Sequence, residues 1–131
     1  LHILKTERQA LLKESYEHSE VCVKMKRIIQ SYKKTDKSNE RFDEEDWKQL
    51  IAETDIRWND ITIRLAAKYP LSQDEIYLCC LHLTDIPTSH FRYLMECSRD
   101  AIYKKGKRIL EQKMKCTDKS ISLREFLEQF L

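Results

Sequence analysis

The chain has 131 residues, room for one ordinary domain with an extension. Its residues are 41% hydrophobic and 35% charged, which allows a buried core, and a net charge of +2 excludes any whole-chain case for a polyanionic partner. One Gly and two Pro leave few helix breakers, and β-branched residues form no sustained alternating run, so the expected class is all-α.

Leu1 to Lys34 contains no Gly or Pro and reads as one long helix. Leu1, Arg8, Ser15, Cys22 and Ile29 form one heptad position, and Leu4, Leu11, His18, Met25 and Tyr32 the other. Most of these are apolar, so residues 1–34 are either an interrupted coiled-coil seam that dimerises the chain or an amphipathic helix folded back on its own domain. The pattern is already helical at Leu1 and lacks a Met, which points to a piece of a longer protein.

Residues 35–70 form a Trp-containing helical segment. Thr35 to Arg41 is a polar loop. Phe42-Asp43 looks like a hydrophobic staple and N-cap, with Asp46 completing an imperfect capping box. Trp47, Leu50 and Ile51 make an apolar stripe, Asp55 marks a break, and Ile56, Trp58, Ile61, Ile63, Leu65 and Ala66 continue as a second helix toward Tyr69-Pro70. Both Trp side chains are expected in the core.

At Leu71 the signals sharpen. Ser72 caps a helix and Glu75 reaches back to it. Ile76, Leu78, Cys79, Cys80, Leu81 and Leu83 make that helix apolar nearly all round, so it should be the central packing helix. Pro87 and Thr88 open a short helix, capped by Thr88 or Ser89, whose stripe is Phe91, Leu94 and Met95. The stripe stops at Glu96-Cys97. Ser98 then caps a new helix from Arg99 to about Met114, with Asp100 in its first turn and Ala101, Ile102, Ile109, Leu110 and Met114 as its apolar positions. Gly106 lies inside it, either to let the backbone approach a phosphate or simply at a cost in helix stability. Lys115 to Ser120 is a polar loop, and Ser122 with Glu125 caps a last helix bearing Leu123, Phe126, Leu127, Phe130 and Leu131.

Charge is unevenly placed. Between Ser98 and Lys115 seven basic residues face two acidic ones, whereas nine acidic residues face six basic ones between Thr35 and Pro70. A short helix, a tight turn and a basic helix is the layout of a helix-turn-helix DNA reader. In that layout Arg99, Tyr103 and Lys104 on the N-terminal half supply base contacts. Lys105, Lys107, Arg108 and Lys113 cannot all face one groove, so some of them contact phosphates, joined by Ser89 and His90 at the start of the short helix. The plain alternative is a solvated helix face, which is what most charge runs are.

No enzyme constellation is visible. Cys79, Cys80, His82, His90 and Cys97 lack metal-ligand spacing, Asp43 to Asp46 reads as a charged first helical turn, and no Gly-rich phosphate loop occurs. No catalytic residue, metal or cofactor is therefore assigned. The five cysteines are odd in number and irregularly spaced, as in reduced thiols used as small hydrophobes. No stretch is long and apolar enough to span a membrane, and no signal peptide is seen.

From Leu71 to Leu131 the order of capped helix, short helix, turn, basic helix, loop and capped last helix resembles the four-helix LuxR/GerE-type DNA-binding domain. It looks most like the version at the C-terminus of Bacteroidetes tetratricopeptide-repeat transcriptional regulators. Trp47, Trp58 and Tyr69-Pro70-Leu71-Ser72 match the segment that precedes that domain, Ser98-Arg99-Asp100-Ala101-Ile102 the start of its recognition helix, and Arg108 to Met114 a later step. The resemblance implies that residues 71–131 are the helix-turn-helix output domain of a bacterial regulator, with Ser98 and the helix after it in the major groove. It also implies double-stranded DNA as partner, an upstream sensor domain, and a cytoplasmic location, free or as the cytoplasmic part of a membrane-anchored regulator. Asp85 stands where the family usually has Gly, and Arg92 where it has a small Ala. The alternative that stays open is a non-enzymatic protein-interaction or dimerisation module with a degenerate helix-turn-helix.

Overall fold

Ser19 divides the expected long N-terminal helix in two. Its hydroxyl donates to the Tyr16 carbonyl (2.6 Å) and accepts from the Cys22 amide (3.3 Å), so one side chain ends α1 (His2–Glu17) and caps α2 (Glu20–Thr35). A serine with an acid directly behind it is a helix-start signal, and here it overrides an uninterrupted run of good helix formers. The computed structural model describes residues 2–131, with side chains from Lys5 onward, and every regular element among them is helical. Of the heptad positions, Leu1 lies outside the described residues and the Leu4 side chain outside the described side chains. Cys22, Met25 and Ile29 are buried in this chain's own core, while Leu11 is 67% exposed. The α2 half of the seam is thus spent on the fold.

The capping box at Asp43 forms as read: Asp43 Oδ1 accepts from the Asp46 amide (3.0 Å) and Asp46 Oδ2 from the Asp43 amide (2.9 Å), opening α3 (Glu44–Arg57). Asp55 does not break this helix. Its carboxylate reaches forward to accept from the backbone amide (2.8 Å) and hydroxyl (2.5 Å) of Thr62, and so caps α4 (Ile61–Lys68) from the helix before. The break falls instead at Trp58 to Asp60, where Asn59 and Asp60 take φ of 54° and 58°. Trp47 is buried, stacked on Tyr77 (centroids 4.5 Å apart) with the edge of Phe42 against it (4.7 Å). Trp58 is only half-buried.

α5 (Gln73–His82) starts at the Ser72–Glu75 capping box, with hydrogen bonds of 3.2 and 2.7 Å. Leu78, Cys79, Cys80 and Leu81 are all buried, which requires neighbours on every side. α3, α4 and the later helices Arg99–Arg108 and Leu123–Glu128 supply them. A 3-10 turn (Thr88–His90), capped by neither Thr88 nor Ser89, leads into α6 (Phe91–Met95). After the Glu96–Ser98 turn, α7 (Arg99–Arg108) runs on as one π turn (Ile109–Lys113), and α8 (Leu123–Glu128) closes the chain. Buried residues from Tyr16 to Leu127 form one contiguous cluster, so the helices of residues 1–70 share a core with those of 71–131. No helix among the described residues is long and apolar enough to cross a membrane.

Gly106 faces inward. A Cβ built there would meet Leu78 Cδ2 and Leu123 Cδ2, each at an ordinary 3.9 Å. Its backbone is normal helix, without positive φ. A methyl group fits without displacement, and the helix loses its most flexible residue. Gly106→Ala is therefore expected to raise stability by about 0.5–1 kcal/mol in urea unfolding. A loss of stability would show that α7 packs more tightly than these distances allow.

Candidate nucleic-acid interface

The turn between α6 and α7 is set by three residues. Glu96 adopts the left-handed conformation (φ 54°), and its carboxylate is gripped by Arg41 through Nε (3.0 Å) and Nη2 (2.6 Å). The pair is exposed and worth little stability, but it links the turn to the loop before α3. Ser98 Oγ accepts from the Ala101 amide (3.1 Å), capping α7 as its sequence position indicates. α6 is held from behind by buried Phe91 and Leu94 and by Tyr93 stacked on Tyr32 of α2 (4.8 Å).

Ile102, Ile109 and Leu110 turn α7 inward. What remains outside divides into two lines. Arg99, Tyr103 and Lys107 recur every four residues along one flank, and Tyr103 is 68% exposed. Lys104 and Arg108 lie on the other flank, with Lys104 paired to Asp100 (3.0 Å) one turn back. Arg99, Lys107 and Arg108 make no ion pair among the described residues, so their charge is available to a partner. The acidic run Asp43 to Asp46 does not cover this ridge; Asp46 is bound to Lys24 of α2 (2.6 Å).

The Arg99 flank forms one wall of an open groove of about 890 Å³. Thr88 and Ser89 of the 3-10 turn border it, and Lys119 and Ser122 of the loop before α8 form the far side. The floor is apolar, from Ile102, Leu110 and Leu123. Ser89 therefore lines the same groove as Arg99 and Tyr103. His90 is not among the groove residues: it packs near Tyr93, and burial together with the charges of Lys33 and Arg92 lowers its pKa.

Lys105 and Lys113 serve the fold instead of the ridge. Lys105 is half-buried and 3.7 Å from Asp74. Lys113 donates to the Pro70 carbonyl (3.0 Å) and lies 3.6 Å from the buried carboxylate of Glu75. Both tie α7 and its π turn to the start of α5. Burial works against the Glu75 charge, yet hydrogen bonds from Ser72 and the charges of Lys113 and Arg108 hold its carboxyl below the usual range. A charge run in sequence carries no mark of which lysines have acidic partners on another helix. Lys119, Ser122 and Thr88 escaped the sequence reading as groove residues for the same reason, although Thr88 and Ser122 stood out as cap positions.

His82 also lines the groove, with its ring edge-on to Phe91 (5.1 Å). Burial, with a smaller push from Arg124, lowers its pKa to about 4. The folded state then binds fewer protons than the unfolded state below the ordinary histidine value of 6.5. Stability falls as pH drops from there toward 4, by about 3 kcal/mol in all. His82→Gln is expected to remove this share of the acid sensitivity, read as the difference between urea midpoints at about pH 7 and about pH 4.5. Equal pH dependence in the two proteins would contradict it.

The thiols of Cys79 and Cys80 are buried and chemically quiet. Burial pushes Cys79 up to about 12 and raises Cys80 further. No group of three or more His, Cys, Asp or Glu side chains converges on a metal-sized site among the described residues. Comparisons with family models, curated proteins and solved structures find no match to this chain.

Proposed function

We propose that this chain is a DNA-binding output domain of a bacterial transcriptional regulator, with a LuxR/GerE-type helix-turn-helix in which α7 enters the major groove. The observation that carries this reading is the exposed ridge of α7: Arg99, Tyr103 and Lys107 on one line and Lys104 and Arg108 on the next, behind a tight turn and a serine cap. Arg99, Tyr103 and Lys104, near the helix start, face base edges; Lys107 and Arg108, with Ser89 and Lys119 across the groove, meet phosphates. Lys105 and Lys113 hold α7 in place, and His90 lies to the side. A homodimer through residues 1–34 belongs to the same proposal and would rest on α1, because Cys22, Met25 and Ile29 are buried. So do the upstream sensor and the cytoplasmic location.

Mapping backbone amide shifts on titration with mixed-sequence duplex DNA tests the reading. Shifts should concentrate on Ser89, the first half of α7 and the loop before α8, leaving α1 and α4 still. Shifts centred on α1 to α4 would sink it. A second reading, a non-enzymatic protein-interaction module, draws on the side chains of Leu11, Ile56 and Ile63, which are 67%, 61% and 62% exposed. It predicts no response to DNA.

A further inference from the structure

The DNA reading uses the rim of the groove beside α7 and leaves its floor without a role. The α7 side of the groove is one helical stripe. Arg99, Tyr103 and Lys107 form its outer line, and Ile102, Gly106 and Leu110 its inner one. Gly106 contributes backbone alone, and across from it Leu123 and half-buried Ile121 extend the apolar lining. A phosphate backbone engages cations and hydroxyls and has no use for such a floor. At about 890 Å³ the groove is of the size of small-molecule sites, which combine apolar walls with a few placed polar groups.

The polar groups are unevenly placed along it. Arg99, Thr88 and Ser89 stand at one end. Arg99 makes no ion pair among the described residues, and the two hydroxyls make no side-chain hydrogen bond among them. Both acids of the lining, Glu111 and Asp118, belong to the opposite end. Glu111 follows Arg99 by about 18 Å along the helix axis. The Cys116 amide donates to the Leu110 carbonyl (2.9 Å) and so brings the loop that carries Asp118 back to the same end. Asp118 is engaged there by the Ser120 amide (2.9 Å) and hydroxyl (2.6 Å). With Lys107 and Lys119 counted, three cations line the groove against two acids, and His82 is uncharged near neutral pH. The groove thus has a cationic, hydrogen-bonding end, an apolar middle and an acidic end.

We infer that this groove binds a small amphipathic carboxylic acid in its ionised form. The carboxylate lies at Arg99, accepting from the guanidinium and from the hydroxyls of Thr88 and Ser89. The apolar body covers Ile102, Gly106 and Leu110 and reaches Leu123, removing apolar surface from water. Glu111 and Asp118 disfavour a second negative charge on the tail, so the fitting ligand is a monoanion. A cation of the same shape meets Arg99 at one end and loses the head-group contacts. The inference does not rest on DNA binding. Where both hold, the acid and DNA compete for Arg99 and Tyr103.

The test is a titration of the chain, without DNA, with sodium octanoate below its micellar concentration at constant ionic strength, read from backbone amides in nitrogen–proton spectra. Octylammonium is the control for the body and acetate the control for the head. The expected result is a saturable shift of the Ser89, Ile102, Gly106 and Leu123 amides by octanoate. Octylammonium should bind about tenfold more weakly, and acetate should not saturate. Arg99 is exposed and supports no core contact, so Arg99→Gln should keep the fold and weaken octanoate by about fivefold, leaving octylammonium unchanged or tighter. Equal affinity for octanoate and octylammonium would overturn the assignment of an acid. Octanoate binding unaltered in Arg99→Gln would overturn the placing of its head. No saturation, or shifts centred on Leu11, Ile56 and Ile63, would overturn the site. Because no DNA is present, the DNA reading can fail while this one holds, and the reverse.

Discussion

Replacing Lys104, Lys107 and Arg108 together with Ala is expected to weaken binding to duplex DNA by roughly 10- to 100-fold at moderate salt. All three side chains are exposed on α7, and Lys107 and Arg108 are free of ion pairs among the described residues. Lys104 has only the exposed Asp100 one turn back, a pair that a contact with DNA easily displaces. Each lost phosphate contact should also lower the salt dependence by about one unit of slope. Stability should change little, since all three side chains are exposed and only Arg108 adds a charge that favours the Glu75 carboxylate. Lys113→Ala is the contrasting case. It leaves the buried Glu75 carboxylate without its cation, so it should cost about 1–2 kcal/mol of stability while leaving the DNA salt slope intact. The two variants together separate lysines that build α7 from those that it presents. Fluorescence anisotropy with a mixed duplex measures the first effect and urea unfolding the second. Equal DNA losses in both would undo this division of labour.

Trp47→Ala carries the largest expected stability effect. Trp47 is 7% exposed, lies flat on Tyr77 of α5 and takes the edge of Phe42, so truncation empties the seam between α3 and α5. A buried Trp-to-Ala change costs about 3–5 kcal/mol, with loss of the ring stacking included. That is a large fraction of the ~5–15 kcal/mol that holds a domain together. Because α5 also packs on α7 and α8, the damage should spread to both. Urea unfolding should show an earlier midpoint in a single transition, with α7 amides losing protection together with those of α3. A loss below about 1 kcal/mol, or an α7 that unfolds independently of α3, would show that residues 42–70 are an appendage.

What could be read ahead of the structure was what is written locally. The caps at Asp43, Ser72, Ser98 and Ser122 all form, because a cap needs only a side chain and an amide three residues on. The all-round apolar pattern of α5 likewise led to its central place. The failures involve context. At Ser19 the cap signal was as local as the others, but a heptad pattern spanning it suggested continuity. Asp55 looked like a breaker and is a cap for the next helix, which only the return of α4 makes possible. Lys105 and Lys113 stood among the candidate phosphate contacts that could not all face one groove, and Asp74, Pro70 and Glu75 engage them from α5 and the segment before it. Trp58 looked like a core anchor and lies half-buried with Arg57 on its face. Partners tens of residues apart leave no periodic trace, so the groove's far wall was beyond reach.

On the proposed function, outward cations of α7 meet DNA phosphates. The most direct test is the dependence of wild-type binding to mixed duplex DNA on salt concentration. With Lys107, Arg108 and Lys119 on phosphates, log K should fall against log salt with a slope of about −3. No binding at low salt, or a slope near zero, would contradict the account and leave the exposed apolar side chains of α1, α3 and α4 as the surface to pursue.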